Sequence, residues 1–81
     1  MHLDELISYL VKNLVSNPEM VSVKQFDDEE NVVTIEVLVS SSDIGAVIGK
    51  AGKIANSIRT IVQAAASIHY QKKVKVNIDS F

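Results

Sequence analysis

An α+β domain with elements in the order helix, strand, strand, short helix, helix, strand is what these 81 residues predict. Three observations carry that prediction. Apolar residues recur with a helical period near the amino terminus and again after residue 52, whereas residues 32–39 and 73–78 alternate apolar with polar in the manner of strands. All three glycines, Gly45, Gly49 and Gly52, fall within residues 43–59, which marks a tight connection between two apolar segments.

Taken in order, Leu3, Leu6, Ile7, Leu10 and Leu14 share one helix face, with Asp4, Glu5, Ser8, Lys12 and Asn13 on the other. That helix is expected to stop near Ser16-Asn17-Pro18, because the residue before a proline is pushed out of the α region. Val21 to Lys24 alternate as a short strand, and Gln25 and Phe26 break its phase, which predicts a bulge there. Asp27 to Asn31 form the turn. Their adjacent acids read as a solvated hairpin tip, since the ligand spacing of a calcium loop is absent. Val33, Ile35, Val37 and Val39 alternate with Val32, Thr34, Glu36 and Leu38, so this strand pairs back through the acidic turn.

Ser40-Ser41-Ser42-Asp43 supply preferred N-cap residues, so a short helix over residues 43–48 should end at Gly49. From Gly52 onward Ile54, Ile58, Ile61, Val62, Ala65 and Ile68 are placed on one apolar face, predicting a longer helix to about His69. Val74, Val76 and Ile78 alternate with Lys73, Lys75 and Asn77 as the last strand.

A chain of this length forms one domain, residues 1–81, and buries only about 60% of the surface its unfolded form exposes. It has no cysteine, hence no disulfide, thiolate metal site or cysteine nucleophile. Asp4 and Glu5 stand where a signal peptide carries basic residues, and no apolar run approaches a membrane span, so a cytoplasmic protein without membrane attachment is expected. Net charge is −2, but it is segregated: residues 1–36 hold eight acids and two bases, residues 37–81 two acids and six bases. The basic half contains the glycines, which keeps a polyanionic partner in play.

Gly49-Lys50-Ala51-Gly52 can hold a phosphate: amides after Gly49 are unobstructed, Lys50 and Lys53 add charge, and Gly52 opens a helix at its positive end. A P-loop is excluded by spacing, because Gly45 and Gly49 enclose three residues and Lys50 is followed by Ala51. The dinucleotide fingerprint fails too, in spacing and in lacking a βαβ unit of parallel strands. Catalysis has no support: His2 and His69 lie far apart, no nucleophile and base are paired, and the three serines serve as caps. No metal, cofactor or small-molecule substrate is expected.

Ile-Gly-x-x-Gly between two helices resembles the signature loop of the KH domain, which clamps about four nucleotides. The element order is similar to the bacterial type II form, a three-stranded mixed sheet with three helices on one face. The segment from Ser41 to Gly52, the Ala-rich helix from Ile58 to Ala66 and the chain length most resemble the small bacterial single-KH proteins called KhpA. That resemblance implies single-stranded RNA lying in a groove between the two central helices and a strand. Gly49, Lys50, Ala51 and Gly52 would form the clamp, Lys53 and Arg59 would add charge, and Ile44, Val47 and Ile48 would line the groove. The same three apolar residues also fit plain core packing, and Arg59 equally fits a surface ion pair. The implied role is post-transcriptional regulation or RNA chaperoning. The scarcity of aromatics, Tyr9, Phe26, Tyr70 and Phe81, argues against an RRM.

At 100° per residue Asn56, Thr60, Gln63 and Ser67 gather opposite the expected core face of the long helix, without formal charge, and Ala64 beside them, with Ala66, permits close approach. This face is expected to pair with a second copy or a related domain, against the bland alternative of a solvated surface. The resemblance implies a homodimer, or a heterodimer with a larger KH-containing protein of the KhpB, Jag or EloR kind. An adaptor that pairs in this way with little RNA binding of its own is the alternative reading.

Overall fold

The clearest alternation in the sequence becomes the middle of the sheet. In the computed structural model, which describes residues 3–69 and 71–81, β2 (Val32–Val39) lies between β1 (Ser22–Glu29) and β3 (Lys73–Ser80). Val33, Ile35, Val37 and Val39 are all buried. One face of β2 is therefore core along its whole length. β1 pairs with β2 antiparallel, Val23 opposite Val37, and β3 pairs parallel, setting Val74, Val76 and Ile78 beside Val33, Ile35 and Val37. A parallel neighbour requires a crossover, which the two helices between β2 and β3 supply.

Those helices and the first cover the apolar face. α1 (Leu3–Lys12) buries Leu3, Ile7 and Val11, a row spaced by four residues, and ends before Leu14, which is exposed. The chain then passes a 3-10 turn at Pro18–Met20. α2 (Ile44–Ile48) and α3 (Lys53–His69) are separated by a single 3-10 turn, Lys50–Gly52. The core joins α1, β2, Val47 of α2, Ile58, Val62 and Ala66 of α3, and Val76 of β3.

Three expectations are corrected. β1 runs through most of the acidic stretch to Glu29, and its irregularity falls between Phe26 and Glu29 instead of at Gln25-Phe26. Pairing resumes at Glu29 opposite Val32, so the turn itself is only Glu30-Asn31. Second, the buried row of α3 is Ala55, Ile58, Val62 and Ala66, while Ile61 and Ile68 are 47% and 76% exposed. Two small alanines occupy that row, while of the branched residues Ile58 and Val62 point to the core and Ile61 and Ile68 to solvent. Third, Asp43 stands at the N-cap of α2 without capping it, as described below. No helix among the described residues is long and apolar enough to cross a membrane.

Candidate nucleic-acid interface

α2 ends because Gly49 takes φ +75° and ψ 174°, a conformation open to glycine. Its amide still closes the helix on the Gly45 carbonyl at 2.9 Å. A Cβ at Gly49 would sit 2.6 Å from Cγ1 of Ile54, so Ile54 packs directly over the missing side chain. Gly52 also has φ +75°, yet a Cβ there would meet nothing nearer than Asn56 Nδ2 at 3.9 Å. Between them Ala51 adopts the left-handed conformation, φ 56° and ψ 26°. The sequence gives no sign of this, because alanine is an unfavourable residue for it.

Within the turn the Gly52 amide donates to the Gly49 carbonyl at 3.2 Å and the Lys53 amide to that of Lys50. Among the described residues, the amides of Lys50 and Ala51 have no backbone partner. Lys50, Ala51 and Lys53 are exposed and Gly52 is half-buried. Two free N–H groups, a lysine on each side of Ala51-Gly52 and the start of a 17-residue helix converge there. Such a cluster suits an anion.

The neighbouring wall is the free edge of β3. Lys73 faces β2, donating its amide to Asn31 O at 2.9 Å, so alternate residues 72, 74, 76 and 78 turn their peptide groups to the other side. α3 runs antiparallel to β3 and covers part of that edge. Gln63 Oε1 accepts from the Val74 amide at 2.9 Å while its Nε2 donates to Lys72 O at 3.0 Å, so the side-chain amide pairs with the strand as another strand would. Arg59 Nε donates to Val76 O at 3.2 Å and its Nη1 to Asn56 Oδ1. Beyond Val76, where α2 packs against β3, no helix side chain donates to the edge among the described residues. Ile78, like Ile44 and Ile48 of α2, is half-buried, and α2 lies against β3.

The residues anticipated as a clamp are therefore brought together, with differences of role. Val47 is fully buried and serves the core. Arg59 is committed to β3, and among the described residues it forms no ion pair. On the helix face expected to pair, Gln63 is tied to β3, Ser67 accepts from Gln63 at 3.0 Å, and Thr60 donates to Asn56 O at 2.9 Å; Ala64 alone has no polar engagement. Sequence reasoning missed Gln63, since nothing local distinguishes a strand-pairing glutamine from a solvated one.

Asp43 was also misread. Its carboxylate, 4% exposed, accepts from the Ser16 and Asn17 amides at 3.0 Å each and from Asn17 Nδ2 at 3.3 Å. The Ser16 amide is the foremost reason its pKa lies below the ordinary aspartate value, against the opposing effect of burial and with Asn17 assisting. The site is an open surface. Recesses of about 770 Å³ by Asn31, Gln63 and Lys73 and about 390 Å³ against Tyr9 of α1 both lie away from the glycine turn. Among the described residues no group of three or more His, Cys, Asp or Glu could hold a metal ion. His2 and Tyr70 lie outside the described residues.

A family model described as KhpA/KhpB, KH domain, matches residues 4–78. The chain belongs to the KhpA/KhpB KH-domain family. RNA-binding protein KhpA of Clostridium perfringens is 49% identical over 74 residues, 91% of this chain and 96% of the relative. The KhpA proteins of Caldanaerobacter subterraneus and Chlamydia trachomatis are 43% and 39% identical, covering 91% and 93% of this chain and 96% and 91% of their own lengths. Among solved structures, Era in complex with MgGDPNP and nucleotides 1506–1542 of 16S ribosomal RNA superposes with a TM-score of 0.67 over 96% of this chain. Aquifex aeolicus Era bound to GDP and AlF4− does so with 0.69 over 98%. Identity is 18% in both, and the match spans 29% and 30% of the Era chains, so the likeness establishes the type II KH fold alone.

Proposed function

We propose that this KhpA-family domain binds single-stranded RNA, gripping the sugar-phosphate backbone with Gly49-Lys50-Ala51-Gly52, and acts as a post-transcriptional regulator or RNA chaperone. The observation that carries the reading is the pair of amides without a backbone partner in the exposed residues Lys50 and Ala51, with the Lys50 and Lys53 side chains beside them. Relatives named RNA-binding proteins over nearly the same length support it. A phosphate seated on the two amides and held by the lysines would leave its bases over Ile44, Ile48 and the open edge at Ile78. None of this requires proton transfer, so the protein is read as a non-enzyme that works in the cytoplasm without cofactor. Fluorescence polarisation with a labelled single-stranded RNA tests it. The double variant Lys50→Asp, Ala51→Asp should stay folded and lose binding at low and moderate salt; binding equal to the parent would remove the clamp.

A second reading, pairing through α3, is favoured by the exposure of Ile61 and Ile68 with Ala64 between them. On the helix these three lie roughly a quarter turn from the face first expected. The surface suits a second copy or a KhpB/Jag/EloR-like KH protein, and Ala64 belongs to both versions of the interface. Replacing Ile68 by glutamate should convert a dimer at tens of micromolar to monomer, read by light scattering after size exclusion, with little change in stability because the residue is exposed. A parent that is already monomeric would confine any pairing to a different partner.

A further inference from the structure

We infer that Asp43 is a positioning residue for the glycine turn, locking the connection after α1 to the start of α2 so that the amides of Lys50 and Ala51 are presented in one geometry. This rests on the RNA-binding reading above and adds to it a control point remote from the clamp. α2 has five residues, far too few to hold a helix by itself, and buries only Val47 completely. Its orientation must come from tertiary ties. The Asp43 carboxylate is the one buried charged side chain among the described residues. It spends its acceptors on residues 16 and 17, leaving the N-cap function of α2 unused. Capping would satisfy an amide locally; bonding Ser16 and Asn17 fixes α2 to a segment more than twenty-five residues away. Val47 anchors the carboxyl-terminal part of α2, and Ile54 over Gly49 anchors the turn beyond it. Removing the first of these three anchors frees the amino end of α2 and with it the turn that follows directly on this short helix.

Asp43→Asn preserves shape but turns a donor toward donors, and the conservative Asn17→Ala deletes only the side-chain bond. If the clamp-competent fraction falls to between a third and a tenth, the apparent Kd for single-stranded RNA rises by roughly three- to tenfold for Asp43→Asn, and by about twofold for Asn17→Ala. Amide hydrogen exchange supplies the readout that general destabilisation would not reproduce. Exchange should rise at residues 44–53 while β2 amides keep parental protection. Two results overturn the inference: parental affinity in both variants, or a rise in exchange spread evenly over β2 and the turn. Should Asp43→Asn fail to fold, Asn17→Ala decides alone by the same criteria. The Lys50→Asp, Ala51→Asp variant run alongside separates the two ideas. If it binds RNA like the parent, the clamp reading fails, and Asp43 is then judged by exchange at residues 44–53, where unchanged protection refutes it and a local rise sustains it.

Discussion

Gly49 and Gly52 share a backbone conformation but are needed for different reasons. At Gly52 only the positive φ opposes a side chain, so Gly52→Ala is expected to cost about 1–2 kcal/mol. At Gly49 the same strain is joined by collision with Ile54 at 2.6 Å, and Gly49→Ala should cost about 2–4 kcal/mol. Urea denaturation of the two variants gives the comparison, and equal losses would show that Ile54 yields freely. Ala51 presents the opposite case: Ala51→Gly relieves a left-handed alanine and should leave stability unchanged or raise it by up to about 1 kcal/mol, after the added unfolded-state entropy of glycine. Asp43 links residue chemistry to pH. Its folded pKa is depressed, so its contribution is complete at neutral pH and is lost as pH falls below the ordinary aspartate value. In Asp43→Asn that part of the acid dependence should vanish from the pH profile of the denaturation midpoint. The glycine positions were legible in the sequence because glycine in a cluster has few other uses. Ala51, Asp43 and Gln63 were not, since each owes its role to a conformation or partner that no local spacing encodes.

At the scale of elements, the alternation of β2 was sufficient because a strand with one buried face has only one possible phase. α3 was harder. Apolar residues surround more than half of it, and choosing the branched ones as core placed Ile61 and Ile68 on the wrong side, whereas the small Ala55 and Ala66 are the ones buried. The consequence is useful, because an apolar stripe left outside is a better candidate for pairing than the polar face chosen first. Gln63 shows how α3 and β3 are held together: Gln63→Ala leaves Val74 N–H and Lys72 O unpaired and should cost about 1–2 kcal/mol, with faster exchange at Val74. Thr60→Ala, whose hydroxyl bonds only its own helix, should cost under about 0.5 kcal/mol. Equal effects from the two would mean that the glutamine does not hold the strand.

For the molecule as a whole, a small core leaves little reserve. Ile35→Ala, in the middle of the sheet and fully buried, should cost about 2–5 kcal/mol, enough to unfold a large share of the population. Charge is divided between an acidic hairpin and amino-terminal half and a basic half that carries the turn. With two lysines at the turn, the logarithm of RNA affinity should fall against the logarithm of salt with a slope of only about −1 to −2. Weak, salt-sensitive grip by one domain is also the setting in which pairing of two domains gains most. The claim on which the account turns is that the backbone at Lys50 and Ala51 meets the nucleotide chain. The direct measurement is a titration of the isotope-labelled protein with a short single-stranded RNA, following amide chemical shifts. The largest changes are expected at the Lys50 to Lys53 amides and at Ile78, with residues 24–30 unmoved; an unperturbed turn, with the changes centred on another surface, would contradict it.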